Sequence, residues 1–280
     1  MPNLETQVKI VENLPLKQKG YYLLTLLCPY SYKSAQPGQF VHVRINNTLE
    51  PFLRRPFSIH RVESCSDRKH VFIKILYEIV GKGTFILAQK KANQQLDILG
   101  PNGHGFEYED LDKRAQPIII AGGMGVAPLL FLAEKILNSL PYLRNKPIVL
   151  IGAKTKDKIV LEKEFRQLGC RVNLATDDGS IGFKGSVISL FKKELRGYIL
   201  SDNLGADKKI SIFACGPRQM LCELAKICEL KKIALQVSLE EFMGCGIGAC
   251  LGCAIETKHG FRRVCYDGPV FWAEDIVWKS

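Results

Sequence analysis

No stretch of this 280-residue chain runs apolar for the ~20 residues that a membrane-spanning helix needs. The first fourteen residues, MPNLETQVKIVENL, lack the basic start and continuous hydrophobic stretch of a secretory signal, which makes the cytoplasm the expected location. Internal repeats, low-complexity tracts and long linkers are also missing. There is no nucleophile motif such as G-x-S-x-G. His42, His60, His70, His104 and His259 show no metal-ligand spacing among themselves, so each is assigned to surface or barrel packing. The formal net charge of +11 is not matched by any RNA- or DNA-reading motif, and the basic residues fall in short groups such as Lys231-Lys232 and Arg262-Arg263. Neither nucleic acid nor membrane is an expected partner; attraction for phosphate-bearing cofactors or an acidic protein surface is the milder reading.

What is present is a globular composition, 46% hydrophobic and 24% charged with 24 Gly and 13 Pro, on a chain long enough for two domains and a small appended module. Ten cysteines in a reducing context favour metal binding over disulfides, since a chain of this size needs no staples. Cys28, Cys65, Cys170, Cys215, Cys222 and Cys228 are scattered through apolar or mixed sequence, where a free thiol behaves as a small hydrophobe. The other four are concentrated. Cys245, Cys250, Cys253 and Cys265 have the C-x4-C-x2-C spacing followed by a fourth cysteine, the pattern of plant-type [2Fe-2S] proteins. Four thiolates can ligate two irons, and Gly244, Gly246, Gly248 and Gly252 let the loop fold tightly and aim backbone N–H groups at sulfur. The alternatives are a four-cysteine zinc site, which more often shows two C-x2-C pairs, and four unligated thiols. A four-residue gap within a glycine loop fits the cluster better.

Short β-branched or aromatic segments at Val8–Val11, Tyr21–Leu27, Gln39–Ile45, Phe57–Val62, Val71–Val80 and Gln95–Leu99 predict a small antiparallel β-barrel over residues 1–108. From Pro117 the pattern changes to strands Ile118–Ala121, Ile148–Ile151, Arg171–Ala175 and Ile210–Ala214 alternating with helices Ala127–Leu140, Val187–Leu195 and Pro217–Glu229. That alternation predicts a doubly wound α/β domain with a parallel sheet over residues 109–232. Beyond Lys232 the apolar periodicity fades, and residues 233–280 read as a third module organised by metal, with short strands Ala254–Thr257 and Phe261–Cys265.

Two regions of the first domain carry candidate ligand contacts. In Arg55-Pro56-Phe57-Ser58 a guanidinium can fork onto a pyrophosphate while Phe57 and Ser58 offer a flat face and a hydrogen bond to a planar ring system; taken alone, such a pair of arginines is more often a solvated strand edge. Leu76-Tyr77-Glu78, followed by Gly83 and Thr84, opens a short helix whose start suits phosphate. In the second domain Gly122, Gly123 and Gly125 follow a strand and open a helix, the context of a phosphate-cradling loop. The motif is not a full G-x-G-x-x-G, and a tight turn without a ligand is its competing explanation. Cys215-Gly216-Pro217 occupies the equivalent place after another strand, so the two turns define one candidate crevice at the carboxyl ends of the sheet.

In this order, Arg55 to Ser58, Gly122 to Pro128, Cys215 to Pro217 and the C-terminal cysteine loop resemble the ferredoxin-NADP reductase superfamily. More closely, the chain resembles the electron-transfer subunits of NAD-dependent (class 1B) dihydroorotate dehydrogenases, on Gly100 to Phe106, Ala175 to Ser180, Val237 to Cys250 and Val264 to Phe271. The resemblance covers nearly the whole chain. It implies FAD on Arg55, Pro56, Phe57, Ser58, Leu76, Tyr77, Glu78, Gly83 and Thr84, NAD as co-substrate on the Gly122 and Cys215 turns, and a [2Fe-2S] cluster on the four cysteines. It also implies an FMN-containing catalytic subunit as partner, in a heterotetramer of two of each, serving pyrimidine (UMP) biosynthesis. No acid–base group for the pyrimidine is then needed here, because cofactors carry the redox chemistry and the protein positions them. Where related NADP enzymes commonly carry Ser-Arg, this chain has Thr176-Asp177, and an acidic side chain there disfavours a 2'-phosphate. Phe57 and Tyr266 stand where the subfamily often has Ile and a charged residue. The competing expectations are a flavin and iron-sulfur subunit of a sulfide dehydrogenase or of an NADH-dependent ferredoxin:NADP oxidoreductase and, from another class, a zinc-stabilised nucleotide-binding regulatory module.

Overall fold

The computed structural model describes residues 3–200 and 209–279. Its first sheet is built from β1 (Asn3–Pro15), β2 (Tyr21–Pro29), β3 (Phe40–Arg44), β4 (Arg55–Ser58), β5 (Arg61–Ser64), β6 (His70–Glu78) and β7 (Gln95–Asn102), with the short helix α1 (Lys82–Ala88) between the last two. The order is β4-β3-β7-β1-β2-β6-β5, with neighbours antiparallel. Alternation sorts the side chains. In β6, Val71, Ile73 and Ile75 are fully buried while Phe72 and Lys74 between them are half-buried, as the two-residue period of a strand requires.

The two ends of that order, β4 and β5, are consecutive in the chain and separated only by Ile59 and His60. Sequence pattern reads Phe57–Val62 as one strand; the structure breaks it here. The Ile59 N–H donates to the Gln39 carbonyl and the His60 N–H to that of Lys74, so the chain leaves one partner strand for another at this point. That exchange carries the chain directly from one end of the sheet order to the other, as in a barrel.

The second sheet comprises β8 (Gln116–Gly122), β9 (Ile148–Ala153), β10 (Arg171–Thr176), β11 (Phe183–Lys184), β12 (Ile210–Cys215) and β13 (Ala234–Ser238), connected through α2 (Val126–Ser139), α3 (Glu162–Gln167), α4 (Val187–Leu200) and α5 (Arg218–Lys231). Strand order is β11-β10-β9-β8-β12-β13, and pairing is parallel throughout this stretch. All seven residues of β8 are buried, as expected of a central strand covered on both faces. Ile118, Ile119 and Ile120 there each contribute ~1.5–3 kcal/mol. Chain order runs outward from β8 to β11 and then returns to β12, so the direction of winding reverses between the adjacent strands β8 and β12. Ligands of doubly wound sheets gather at that switch point.

β13 lies where sequence pattern predicts no strand. Its Gln236 interrupts the apolar run yet is buried, because its amide donates to the Glu107 carbonyl at 2.7 Å and accepts from the Glu107 N–H at 2.9 Å. The remaining elements are the hairpin β14 (Ala254–Thr257) and β15 (Gly260–Arg263), and β16 (Val270–Trp272), which extends the second sheet beyond β13.

The chain forms two compact units, residues 1–105 with 240–270 and residues 106–239 with 271–280. The sequence reading of residues 233–280 as a third module differs from this division. A two-stranded hairpin has too little apolar surface for a core of its own, and the cysteine segment is held instead by the barrel. The Gly103 carbonyl accepts from Gln39 at 2.7 Å, and the His104 N–H donates to the Gly268 carbonyl. The side of Gly103 toward Gly268 and Pro269 has no room for a Cβ, which would lie 2.6 Å from the Pro269 ring. The sequence Gly100 to Phe106 therefore serves as a clasp for the segment that follows Cys265.

Candidate functional site

The four cysteines come together in the barrel unit as two pairs. The Cys250 thiol lies close enough to Cys245 to help lower its pKa, and Cys253 close enough to Cys265 to help raise its pKa. Backbone donors surround them. Cys245 Sγ accepts from the N–H groups of Ile247 at 3.4 Å, Ala249 at 3.3 Å and Cys250 at 3.4 Å. Cys265 Sγ accepts from Gly248 at 3.2 Å, and Cys253 Sγ from Cys265 at 3.4 Å. Gly246 and Gly248 adopt φ of 72° and 82°, a region that glycine enters freely, and this turns the amides inward.

Electrostatics divide the pairs. Burial works to raise the Cys245 pKa, but the surrounding amides and the Cys250 thiol outweigh it and hold the group at about 6. Burial, reinforced by Cys253, pushes Cys265 up to about 12. Cys253 and Cys265 are buried, Cys245 is half-buried and Cys250 is exposed.

Arg263 braces the loop from outside. Its guanidinium donates to Asp267 at 2.9 Å and to the Gly248 carbonyl at 3.0 Å, and its own N–H donates to Asp267 at 2.7 Å. It also lies 4.6 Å from the centre of the Tyr266 ring. Sequence reading missed this brace, although Arg263 and Asp267 flank Cys265 at a spacing of four.

Donor chemistry fits a two-iron cluster. A structural zinc site takes four thiolates around one ion at about 2.3 Å, more often from two C-x2-C pairs than from the C-x4-C-x2-C spacing of Cys245, Cys250 and Cys253. Two irons take two thiolates each, and Cys245, Cys250, Cys253 and Cys265 supply four.

The other sequence-derived residues of this unit fall into two groups. Arg55 and Gly83 are brought together, a Cβ on Gly83 lying 3.3 Å from Arg55 Nε. Arg54 is committed elsewhere, to Asp97 at 2.9 Å, whereas Arg55 reaches only the carbonyls of Leu53 and Arg54 beside it. Phe57 and Tyr77 make an edge contact with ring centres 5.8 Å apart, and the Tyr77 hydroxyl donates to Asn13 at 3.0 Å. Pro56 and Ser58 are half-buried on β4, Glu78 is half-buried, and Leu76 is buried. The Thr84 hydroxyl is occupied within the chain: it accepts from the N–H groups of Val80 at 2.9 Å and Gly81 at 3.2 Å, which caps α1.

In the α/β unit the two glycine turns pack against each other. Ala121 and Cys215 are paired across β8 and β12, and the turns leave these strands side by side. A Cβ on Gly125 would lie 2.6 Å from the Gly216 nitrogen, and one on Gly122 would lie 2.8 Å from the Pro217 ring. These glycines are needed for the approach of one turn to the other, beyond any tight turn each makes. Gly123, with φ of 53°, has open space beside it. At the end of β10, Thr176 is buried with its hydroxyl on the Ile181 carbonyl at 2.8 Å, while Asp177 is exposed.

His42 is the side chain that sequence reading left to packing and that the structure places against the cysteine loop. It is fully buried on β3, opposite Pro56 of β4, and touches Gly246. The cysteine loop therefore lies against the strand pair that carries Arg55 to Ser58.

Comparison with known proteins agrees with this geometry. Residues 240–277 match the iron-sulfur cluster binding domain of dihydroorotate dehydrogenase B, and residues 119–226 match the oxidoreductase NAD-binding domain. The chain is similar to a solved NADH-dependent reduced ferredoxin-NADP oxidoreductase, with a TM-score of 0.78 and 25% identity, covering 97% of this chain and 90% of that one. It is 36% identical to the dihydroorotate dehydrogenase B (NAD(+)) electron transfer subunit of Bacillus cereus (strain G9842), over 98% of this chain and 99% of that protein. It is 37% identical to the subunit of the same name from Desulforamulus reducens, over 92% of this chain and 93% of its relative. With that identity over nearly its whole length, the chain belongs to the family of electron transfer subunits of NAD(+)-dependent dihydroorotate dehydrogenase B.

Proposed function

We propose that this chain carries electrons from a catalytic partner subunit, which oxidises dihydroorotate, to NAD+, holding a [2Fe-2S] cluster and FAD between them. The observation that carries the reading is the gathering of Cys245, Cys253 and Cys265 under the backbone N–H groups of one glycine-rich loop that also holds Cys250, inside the unit that also holds Arg55 to Ser58. When bound, the cluster passes single electrons and the flavin combines two of them with a proton for transfer to the nicotinamide. The four thiolates would hold the two irons, one pair to each, with the amides of Ile247, Gly248, Ala249 and Cys250 stabilising the negative charge. Arg55 and the start of α1 at Gly83 would take the flavin pyrophosphate, and the Phe57–Tyr77 pair with Ser58 would border its ring system. Thr84 acts through the capped helix start and not through its hydroxyl. The Gly122–Gly125 and Cys215–Pro217 turns would hold the NAD, and Asp177 would discriminate against a 2'-phosphate.

The partner is proposed to be an FMN-containing dehydrogenase, in a heterotetramer of two of each subunit, acting in pyrimidine synthesis in the cytoplasm. Apolar side chains around the cysteine loop support a docking face there: Phe242 is 96% exposed, Phe261 75% and Leu251 63%, more than isolated surface residues need. All ten cysteines are free, as a reducing compartment requires. The test is to compare the chain alone with the complex purified from its native cell. Alone, it should oxidise NADH with an artificial acceptor and leave dihydroorotate unchanged; in the complex, dihydroorotate should reduce it. Dihydroorotate oxidation by the isolated chain would refute the division of labour.

A further inference from the structure

His42 has a role that barrel packing does not explain. It has no exposed surface, and neither ring nitrogen has a hydrogen-bond partner. Native proteins bury few such groups, because an unpaired polar atom gives up its hydration for nothing. The environment is specific. A Cβ on Gly246 would lie 3.0 Å from His42 Cε1 and closer still to Nδ1, so the ring rests on the turn that follows Cys245. The carbonyls of Cys245 and Arg54 face the ring, outside hydrogen-bonding geometry. On its own strand the residue pairs with Pro56, and its carbonyl accepts from Arg54 at 3.4 Å. One imidazole thus touches the cysteine loop on one side and the strand of Arg55 to Ser58 on the other.

Burial first, then the charges of Arg54 and Arg55, lower the His42 pKa to about 4. A neutral imidazole offers a single N–H. Gly246 completes the arrangement. Any side chain there would collide with the ring, and its φ of 72° is itself a conformation that suits glycine.

We propose that His42 is a positioning residue for the cluster, its buried imidazole resting on the Cys245–Gly246 turn with an N–H left available to the loop when the cluster is bound, and fixing the loop against the strand of Arg55 to Ser58. The inference rests on the reading of the four cysteines as cluster ligands. Reduction adds negative charge to a cluster, and a nearby donor stabilises that state over the oxidised one. Removing the donor therefore lowers the potential. This role would bias electron transfer along the relay.

The test uses the holoprotein with FAD and cluster, titrated electrochemically and followed by EPR. His42→Leu removes the N–H, and His42→Asn retains one near the Nδ1 position. His42→Leu should shift the one-electron equilibrium of the cluster about tenfold toward the oxidised form, ~59 mV, while His42→Asn should stay within about twofold of the wild type and the flavin potential should not move. Equal cluster potentials in all three proteins would overturn the proposal, as would an Asn variant shifted as far as the Leu variant. Where His42→Leu takes up no cluster, wild-type protein labelled with 15N-histidine decides. Pulsed EPR of its reduced cluster should show a 15N coupling that disappears in His42→Asn, and absence of that coupling in the wild type overturns the proposal. A wild-type protein with no cluster signal at all overturns the underlying reading, and this inference with it.

Discussion

Replacing Gly125 by Ala tests the nucleotide crevice with a single methyl group. Gly125 has a φ of −57°, which any residue adopts, so the change introduces no backbone strain and isolates the contact between the turns. The added Cβ would lie 2.6 Å from the Gly216 nitrogen and closer to the Cys215 carbonyl, roughly 0.8 Å or more short of ordinary contact in a close-packed interior. Neither neighbour is a flexible side-chain end; both are backbone, tied down by the Ala121–Cys215 pairing of β8 and β12. Overpacking of this kind costs ~1–3 kcal/mol, and here it separates the two turns proposed to hold NAD. The assay is NADH oxidation with ferricyanide. KM for NADH should rise about tenfold, the equivalent of ~1.4 kcal/mol, with the optical spectra of flavin and cluster unchanged. Gly123→Ala is the control. It has open space beside it but a φ of 53°, so it pays only the left-handed backbone cost of ~1–2 kcal/mol and should affect stability without separating the turns. A Gly125→Ala protein with wild-type KM and stability would refute the claim that turn-to-turn contact shapes the crevice.

Three further outcomes are expected. In the metal-free protein, iodoacetamide labelling of Cys245 should rise with pH through about 6 as the thiolate forms and then level off, whereas burial keeps Cys170, at about 11, and Cys228, at about 12, protonated and unlabelled at pH 8; peptide mass mapping reads the order, since thiolates react and thiols do not. Thr84→Ala should cost ~1 kcal/mol through loss of the α1 cap, seen as faster amide exchange at Val80 and Gly81, and Thr84→Ser should restore protection. Asp177→Ala should raise kcat/KM for NADPH relative to NADH about two- to fivefold, the size of an exposed charge repulsion of ~0.5–1 kcal/mol; an unchanged ratio would remove Asp177 from cofactor selection.

The parts legible in the sequence are those governed by local rules. Cysteine spacing pointed to the iron-sulfur binding segment that residues 240–277 match, because a cluster loop is short and its glycines adjoin its cysteines. The alternating strands of the barrel and the buried β8 and β9 were visible through their periodicity. What escaped depends on partners distant in the chain. β13 was hidden because Gln236 and Ser238 break its apolar run, and Gln236 is tolerated only because Glu107 supplies both its hydrogen bonds. The break between β4 and β5 follows from bonds to Gln39 and Lys74. Thr84 was read as a ligand contact by its place beside Gly83, yet its hydroxyl caps a helix. His42 carries no motif, and only the approach of a loop some two hundred residues later gives it a role. The C-terminal iron-sulfur segment is recognisable by its match over residues 240–277, and it rests on the barrel through Gly268 on His104 and Gly246 on His42.

The central claim is that Cys245, Cys250, Cys253 and Cys265 hold two irons and not one zinc. Metal and sulfide analysis of the purified chain, with EPR of its dithionite-reduced form, tests it most directly. The account predicts about two irons and about two sulfides per chain, with a reduced-cluster EPR signal that is lost when Cys253 is replaced by Ala. About one zinc per chain, with no sulfide and no signal, would contradict it.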